Sequence, residues 1–499
     1  MTTTDASSRT SRPDDGAGAT PGVRPLPSTA PMTTADPDAA ARAYELDRAH
    51  VFHSWSAQAA LDPLVVAGGQ GAWVWDGAGT PYLDFSGQLV YTNLGIGHPR
   101  VVAAIKEQAE RLVTVAPQHA NAARSEAARL IVERAPGDRL THVFFTNGGA
   151  DAIENAVRMA RLHTGRRKLL SRYRSYHGNT TTAINLTGDP RRWPNDYGAE
   201  GVVHFFGPFL YRSAFHATTE EEECTRALAH LEQTIQLEGP DTIAAIVLES
   251  IPGTAGIMVP PAGYLRGVRE LCDRYGILWI ADEVMAGFGR AGRWFACELA
   301  NEAPVDGSPG AWAPSDGSDA GPDLVAFAKG VNSGYVPLGG VLINGDVMAT
   351  FAHRAFPGGL TYSGHPLACA AAVANIGAMT DERLVENADR LGREVIGPGL
   401  LEIAERHATV GEVRGIGVFW AVELVRDRQT REPLVPFNAA GPANAPMAAL
   451  GAACKRRGLL PFINGSRTHV VPPVNISDEE ARYGLALLDE ALGEVESGL

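Results

Sequence analysis

Residues 242–282 decide the fold. The stretch begins with TIAAIVLES (242–250), a continuous apolar run of the kind that forms a strand buried on both faces of a sheet. YLRGVRELCDRYG (264–276) follows, with apolar residues along one side and Gly276 as its stop, which predicts an amphipathic helix. ILWIAD (277–282) is a second apolar run. Strand, helix and strand in this order predict one unit of a parallel sheet.

The same alternation extends along the chain on both sides of this unit. THVFF (141–145), KLLSRY (168–173) and LVAFAK (324–329) are further candidate strands, and ADAIENAVRMARLH (150–163) has apolar residues at helical spacing. We therefore expect an α/β fold with a mostly parallel sheet flanked by helices, followed by a smaller α+β part.

Four chemically distinctive residues come at the ends of these candidate strands. In an open parallel sheet, ligands bind at the carboxyl ends of the strands. The four residues are Asn147, Tyr176, Asp282 and Lys329. Their convergence predicts a site at this edge of the sheet.

Composition excludes several classes of function. The 499-residue chain has a net charge of -14 and no block of Lys and Arg, which argues against nucleic-acid binding. No apolar stretch approaches the roughly 20 residues of a membrane helix. The five cysteines include no CxxC pair, so we expect a reduced cytoplasmic protein without a disulfide frame or metal site.

Three features of the predicted edge, taken together, indicate a reactive site. Lys329 ends an apolar run, and a lysine held out of water can form an imine. Asp282 follows five apolar or aromatic residues, and it fits either a structural ion pair or a cationic ring nitrogen. The glycine pair of FFTNGG (144–149) opens a helix, and it fits either a tight turn or a phosphate site. Pyridoxal phosphate needs an imine lysine, an acid and an anion site, so this cofactor is the hypothesis.

Two neighbouring motifs also have simpler structural interpretations. Tyr176 is a candidate to stack on a flat cofactor, whereas His177 is treated as a hydrogen-bonded core histidine. GFGRAG (287–292) matches a dinucleotide-binding pattern, but it neither directly follows a strand nor precedes a periodic helix. A nicotinamide-dependent oxidoreductase is therefore a distant alternative, as is a binding protein without catalytic activity.

The chain resembles the class III pyridoxal-phosphate-dependent aminotransferases, of the ω-amino acid or amine:pyruvate type, from about residue 49 to its end. The resemblance rests on FFTNGGADAIENAVRMAR, SYHGNT, AAIVLES, ILWIADEVMAGFGRAGRWFA, AFAKGVNSGYVPLGGVLI and TYSGHPLACAAA. It implies the fold of the fold type I transferases. It also implies that Lys329 binds the cofactor and later moves a proton, and that Asp282 pairs with the ring nitrogen.

The resemblance assigns the remaining cofactor contacts too. Val284 and Tyr176 would enclose the ring, Gly149 and Ala150 would hold the phosphate, and Thr361 would reach that phosphate from a second subunit. The protein would then be a homodimer or a tetramer of dimers.

The implied domains are as follows. They are a disordered tail (1–44), an N-terminal segment packing with the small domain (45–99), a large cofactor-binding domain with a loop insertion at 301–321 (100–365), and a small C-terminal domain (366–499).

Some positions depart from the family pattern. Ala150 replaces a common serine or threonine. Relatives that use 2-oxoglutarate often carry a glutamate where this chain has Thr254 and an arginine where it has His469. The amine:pyruvate subgroup often has a mobile arginine where this chain has Phe462. The residues predicted to contact substrate are Trp55, Leu89, Arg414 and Arg467, and either arginine suits a carboxylate.

The resulting hypothesis is transfer of an amino group from an ω-amino acid or primary amine, such as taurine or β-alanine, to pyruvate. The products would be an aldehyde and alanine. The alternatives are a class III aminotransferase that uses 2-oxoglutarate and a racemase or aminomutase of the same fold.

Overall fold

The structure is a computed structural model that describes residues 25–195, 201–305, 312–314 and 319–499. The strands are β1 (Val66–Gln70), β2 (Trp73–Asp76), β3 (Pro81–Asp84), β4 (Leu140–Thr146), β5 (Lys168–Arg172), β6 (Val202–Phe205), β7 (Ile243–Glu249), β8 (Leu278–Asp282), β9 (Glu302–Pro304), β10 (Trp312–Pro314), β11 (Leu324–Phe327), β12 (Gly339–Asn344), β13 (Val410–Ile416), β14 (Phe419–Asp427), β15 (Glu432–Pro433), β16 (Leu459–Leu460), β17 (Phe462–Ile463) and β18 (Arg467–Val470).

The α-helices lie between and after these strands. They are α1 (Pro37–His50), α2 (Gly87–Val90), α3 (Pro99–Arg111), α4 (Ala122–Glu133), α5 (Gly149–Thr164), α6 (Thr181–Leu186), α7 (Glu220–Glu238), α8 (Tyr264–Tyr275), α9 (Gly345–Thr350), α10 (Pro366–Asp381), α11 (Leu384–Leu391), α12 (Gly397–Arg406), α13 (Ala445–Arg456) and α14 (Asp478–Glu496). Among the residues described, no helix is long and apolar enough to cross a membrane.

A seven-stranded sheet forms the centre of the molecule, in the order β4-β12-β11-β8-β7-β5-β6. All its pairings are parallel except those of β12, which runs antiparallel to β4 and β11. Every residue of β7, β11 and β12 is buried. The predicted α/β fold with a mostly parallel sheet is confirmed, and the apolar runs are explained by helices that cover both faces of the sheet.

Specific residues at the helix ends explain where α8 and α14 stop and start. Helix α8 stops at Gly276, which has φ 60 and adopts the left-handed conformation that other residues avoid. Helix α14 starts with a capping box, because Ser477 accepts from the amide of Glu480 and the Glu480 carboxylate accepts from Ser477. The apolar face of α5 packs on the sheet through residues such as Ile153 and Val157.

The lysine predicted to end the candidate strand 324–329 lies slightly beyond the strand itself. Strand β11 ends at Phe327, and Lys329 begins a single 3₁₀ turn with φ 47. The prediction that Lys329 ends the strand was therefore wrong by two residues. A left-handed residue cannot continue a ladder, so the chain turns out of the sheet here.

Three smaller sheets lie outside the central one among the described residues. One is the two-stranded pair of β9 and β10, one has the order β13-β14-β18-β17 with β15 also paired to β14, and the last has the order β1-β2-β3-β16. In this last sheet, β16 from the C-terminal part pairs in parallel with β3 from the N-terminal segment.

Two predicted irregular segments contain ordered structure. Of the predicted tail, residues 1–24 lie outside the described residues, but α1 begins at Pro37, where the Asp36 side chain accepts from the amide of Ala39. The predicted boundary at residue 44 therefore falls inside a helix. Within the 301–321 insertion, β9 pairs antiparallel with β10, so this segment is not entirely a loop.

Candidate active site

The parallel strands bring their carboxyl ends to one edge of the central sheet. Glu249 ends β7 and stands beside Asp282, which ends β8. Asp282 is in turn paired with Ala326 of β11, three residues before Lys329. Tyr176 follows β5, and its amide donates to Glu249 Oε1 at 2.9 Å. This edge therefore gathers side chains that are far apart in the sequence.

Lys329 carries an amine at this edge whose basicity the protein reduces. Burial lowers the pKa of its ammonium group, although Asp282 and Glu249 oppose this shift with their negative charge. The positive φ of Lys329 is uncommon for a residue with a side chain, and such strain persists where the surrounding structure imposes it. A lowered pKa increases the fraction of the amine that is neutral and nucleophilic.

Asp282 has a partner that the sequence interpretation assigned to the core. His177 Nδ1 lies 2.6 Å from Asp282 Oδ2, and both side chains are buried. Burial opposes protonation of the imidazole, but the hydrogen bond and charge of Asp282 outweigh it and raise the pKa of His177. Asp282 Oδ1 accepts from the amide of Val284 at 3.1 Å. The carboxylate is thus held in a fixed orientation at the strand end.

Two further buried carboxylates lie beside this pair. Glu249 Oε2 accepts from the amide of Gly253 at 2.8 Å, and burial raises the pKa of Glu249. Glu283 accepts from the Ser250 hydroxyl and from the amides of Ala296 and Cys297, yet burial raises its pKa to about 7. The edge is therefore rich in carboxylates that favour a nearby cation.

The start of α5 lies against the same group of residues. No side chain of the described chain caps its first turn, which leaves backbone N–H groups of Gly149 and Ala150 for an anion. A Cβ on Gly149 would lie 2.8 Å from Val284 Cγ1, so only glycine allows this approach. Ala150 packs against Gly178 of the Tyr-His-Gly turn. Val284, Gly149 and the turn after β5 are therefore in contact.

These residues fit pyridoxal phosphate. A buried amine, a fixed carboxylate and uncapped helix N–H groups match its aldehyde, ring nitrogen and phosphate in turn. The aromatic ring of Tyr176 and the side chain of Val284 are the predicted ring contacts. No Cβ hydroxyl is present at Ala150, so phosphate contacts there come from the backbone.

A second group of charged residues surrounds Glu423 on β14. The Arg414 guanidinium donates hydrogen bonds to the Glu412 carboxylate, to Glu423 Oε2 at 2.8 Å, and to the carbonyl of Gly256 at 2.6 Å. Arg212 also approaches Glu423, with Nη2 3.5 Å from Oε1. The two predicted substrate arginines therefore differ, because Arg414 is fully engaged within the protein.

Arg467 is not engaged in this way. It stands opposite Glu423 in the β14–β18 ladder, but its Nε is buried and has no hydrogen-bond partner among the described residues. Burial and the charges of Arg414 and Arg212 lower the pKa of Arg467, against the charge of Glu423. Its guanidinium passes close to Gly256. Arg467 is thus the better candidate for an acid group.

Residues that departed from the family pattern are tightly packed. His469 is buried and stacked on Phe462, with ring centroids 4.8 Å apart, and burial lowers its pKa to about 3. It is therefore neutral and provides no charge for a carboxylate. The carbonyl of Thr254 accepts from Asn464 at 2.8 Å.

The other predicted contacts lie at the surface of the single chain. Trp55 is 65% exposed, and its ring centroid lies 6.1 Å from that of Tyr176 in an edge-to-face arrangement. Leu89 is exposed within the distorted turn α2. Thr361 is exposed in the turn before α10, and within the described chain it makes no hydrogen bond to Lys329 or Asp282. Trp55 is thus in contact with one of the residues at the strand ends, Tyr176.

Comparison with known proteins decides the family. The model of the family described as "Aminotransferase class-III" matches residues 55–492. The chain belongs to this family. Class III aminotransferases use pyridoxal phosphate, so the predicted cofactor, enzyme class and fold type I architecture are confirmed.

Individual relatives of this aminotransferase differ in substrate. A taurine:2-oxoglutarate aminotransferase from Bifidobacterium kashiwanohense, solved in complex with PLP and glutamate, is 38% identical, with a TM-score of 0.85 over 92% of this chain and 99% of that one. A 5-aminovalerate aminotransferase of Pseudomonas aeruginosa is 32% identical over 87% of this chain and 95% of its own length. A putrescine–pyruvate aminotransferase of the same species is 32% identical over 74% and 78%.

Two residues of this aminotransferase site were missed at the sequence level. His177 was interpreted as a core residue, and Glu249 was seen only as the end of an apolar run. Both face the neighbouring strand end, and the order of the strands decides which residue faces which. The available signal was that each follows a buried strand directly or within a few residues.

Proposed function

We propose that this class III aminotransferase moves an amino group from an ω-amino acid or primary amine, such as taurine or β-alanine, to pyruvate. The observation that carries the proposal is the placement of Lys329 beside Asp282 and Glu249, with the arginine-rich group around Glu423 supplying positive charge for acid groups. Lys329 and the carboxylates beside it are needed for the reaction of the substrate's amino group. The arginines around Glu423 favour a substrate that carries an acid group.

Each residue has a proposed role in this reaction. Lys329 would hold the cofactor through its amine, and that amine would carry away the proton that leaves the substrate carbon. Asp282, oriented by His177, keeps the ring nitrogen protonated. Pyridoxal phosphate supplies an electron sink when bound. Gly149 and Ala150 hold the phosphate, and Tyr176 and Val284 hold the ring.

The proposed transfer balances over two half-reactions. The donor carbon loses its amino group and two electrons and becomes an aldehyde, whose oxygen comes from water. The oxo carbon of pyruvate gains the amino group and the two electrons, becomes alanine and releases its oxygen as water. No outside oxidant or reductant is needed.

The residues at two sequence positions favour pyruvate over a longer acceptor. His469 and Thr254 stand where family members that use 2-oxoglutarate often carry an arginine and a glutamate, and His469 is neutral. The putrescine–pyruvate relative supports this choice.

2-Oxoglutarate is the second candidate acceptor, because of an observation near the same site. Arg174 lies over the ring of Phe209 at 5.2 Å and makes no ion pair among the described residues, and burial together with the charge of Arg467 lowers its pKa to about 10. Two arginines that lack ion pairs suit a second carboxylate. The taurine:2-oxoglutarate relative supports this alternative.

We also propose that the enzyme is a homodimer and works in the cytoplasm. Thr361 is exposed, and the adjacent Tyr362 is 62% exposed, which suits a turn that reaches a second subunit. The five cysteines are free, as expected in a reducing compartment. Size-exclusion chromatography with light scattering tests the dimer.

The test of the function is the visible spectrum of the holoenzyme, followed during single additions. An amine that bleaches the band of the lysine-bound cofactor identifies a donor, and recovery with pyruvate but not 2-oxoglutarate identifies the acceptor. Conversion of a single amine without any oxo acid would instead indicate a racemase or aminomutase. No bleaching with a broad panel of amines rejects the proposal.

A further inference from the structure

An arginine that the sequence analysis did not select lies beside the predicted cofactor site. The Arg191 guanidinium carbon lies 3.8 Å from the ring centroid of Tyr176 and 5.9 Å from that of Trp55. These two aromatic rings are in edge-to-face contact with each other. Arg191 therefore completes a wall made of Trp55 and Tyr176.

The backbone fixes this arginine in place. The amide of Gly188 donates to the carbonyl of Ser175 at 3.0 Å, and the amide of Arg174 donates to the carbonyl of Gly188 at 2.9 Å. A Cβ on Gly188 would lie 2.2 Å from the Arg172 carbonyl oxygen, so only glycine lets the segment approach the end of β5 so closely. The chain that carries Arg191 is thus attached directly beside Tyr176.

Asp189 orients the guanidinium. Its carboxylate accepts from Arg191 Nε at 3.0 Å and from Nη2, and it also accepts from the backbone amide of Arg191 at 2.9 Å. Nη1 makes no hydrogen bond within the part of the chain that the structure describes. A charged donor group is therefore presented, already oriented, at the wall of the site.

The charge of Arg191 also acts on the reactive amine. After burial, it helps to lower the pKa of Lys329, against the charges of Asp282 and Glu249. Arg191 lies against Tyr176, a predicted contact of the cofactor ring, whereas Arg467 lies opposite Glu423 in the β14–β18 ladder and close to Gly256. Arg191 suits an acid group close to the reacting carbon, and Arg467 suits one further away.

We propose that Arg191 binds the acid group of short substrates, namely the carboxylate of pyruvate and the carboxylate or sulfonate of a short ω-amino donor, with Asp189 as its positioning residue. This inference rests on the proposed function and adds a specificity-determining residue to it. Uncharged amines gain nothing from Arg191, so it favours acid-bearing donors.

The experiment titrates the holoenzyme with propanoate and with propane-1-sulfonate, which lack an amino group and cannot react. Calorimetry measures their binding to the wild type, Arg191→Gln, Arg191→Lys and the neighbouring control Arg192→Gln. Loss of a charge-assisted pair weakens binding by roughly tenfold to 100-fold in Arg191→Gln. Arg191→Lys restores part of it, because the charge remains without the planar fork. Arg192→Gln changes it less than twofold.

Kinetics with two donors give an independent readout. Arg191→Gln raises the KM for β-alanine by a similar factor while the KM for butylamine stays within twofold, and the visible spectrum of the bound cofactor is unchanged. Equal binding of the probes to wild type and Arg191→Gln overturns the inference, as does equal weakening in Arg192→Gln or absence of binding to the wild type. If no amine yields alanine, the proposed function fails, but the titration still decides the role of Arg191.

Discussion

The edge of the central sheet gathers carboxylates, whereas the region around β14 and β18 gathers arginines. At the sheet edge Glu249 and Glu283 have raised pKa values because of burial, and Asp282 faces His177. Around Glu423, Arg467 has a lowered pKa because of burial and the neighbouring arginines. Each region is short of opposite charge within the protein.

The two regions differ in the charge of the ligand group that each can stabilise. A carboxylate-rich edge stabilises a cationic cofactor ring, and an arginine-rich surface stabilises acid groups of substrates. We therefore propose that amino transfer depends on the first region and that the choice of substrate depends on the second. Variants of the two regions should separate rate from specificity.

The largest effect is expected from Lys329→Ala in the carboxylate-rich region. Loss of the covalent amine and of proton transfer should lower the rate of amino transfer by about 10²–10⁴-fold. Initial rates of alanine formation measure this, and an unchanged circular dichroism spectrum shows that the variant is folded. A rate within tenfold of the wild type would contradict the role of Lys329.

Asp282→Asn in the same region should lower the rate by about 10²–10³-fold, as removal of a fixed electrostatic partner commonly does. The KM for each substrate should change much less than kcat, because Asp282 acts on the cofactor. Steady-state kinetics on cofactor-saturated enzyme provide the check. A change confined to KM would assign Asp282 to substrate binding instead.

The two arginines near Glu423 should respond in different ways. Arg414→Gln leaves the buried Glu423 without its closest partner, which should destabilise the fold by about 3–5 kcal/mol. Arg467→Gln removes no ion pair among the described residues, so Tm should be nearly unchanged while the KM for an acid-bearing substrate rises. Thermal unfolding and kinetics on both variants distinguish them, and the opposite pattern would reverse their roles.

The smallest effect concerns the pH dependence of stability at the carboxylate-rich edge. The pKa of Glu283 is raised to about 7 in the folded protein from an ordinary value of 4.5. Its stabilising contribution is complete below pH 4.5 and is lost as pH rises through 7, because the folded state holds the proton more tightly. Glu283→Gln, which cannot ionise, should gain in Tm relative to the wild type between pH 5 and pH 8, by no more than about 3 kcal/mol in unfolding free energy. Parallel curves for the two proteins would show that Glu283 is ionised throughout.

The sequence predicted what depends on local pattern. Each apolar run predicts a buried strand, and a polar residue at its end indicates the edge of the sheet where ligands bind. Lys329 and Asp282 were therefore selected without knowledge of which strands are neighbours. Residues that meet across strands were harder to select. His177 faces Asp282 only because the chain after β5 turns back over β7 and β8, and strand order is a property of the whole sheet.

The partners of the arginine side chains were likewise not predictable from the sequence alone. Arg414 and Arg467 were equivalent candidates, because a planar guanidinium at either position suits a carboxylate. Only the packing around Glu423 separates an arginine that is engaged from one that is not. Arg191 gave no periodic signal, since it lies in a 3₁₀ turn of a segment fixed by backbone hydrogen bonds.

The reversed strand β12 has a consequence for biosynthesis. Strand β4 pairs with β12 and with no other strand of the sheet, and Thr146 is matched with Gly339. During synthesis β4 must therefore wait for more than half of the remaining chain before it joins the sheet. Pairings this distant in sequence form late and slowly. The proposed phosphate site begins directly after β4, and a Cβ on Gly339 of β12 would lie 2.6 Å from the carbonyl oxygen of Gly148. We therefore expect uptake of cofactor to report the insertion of β12.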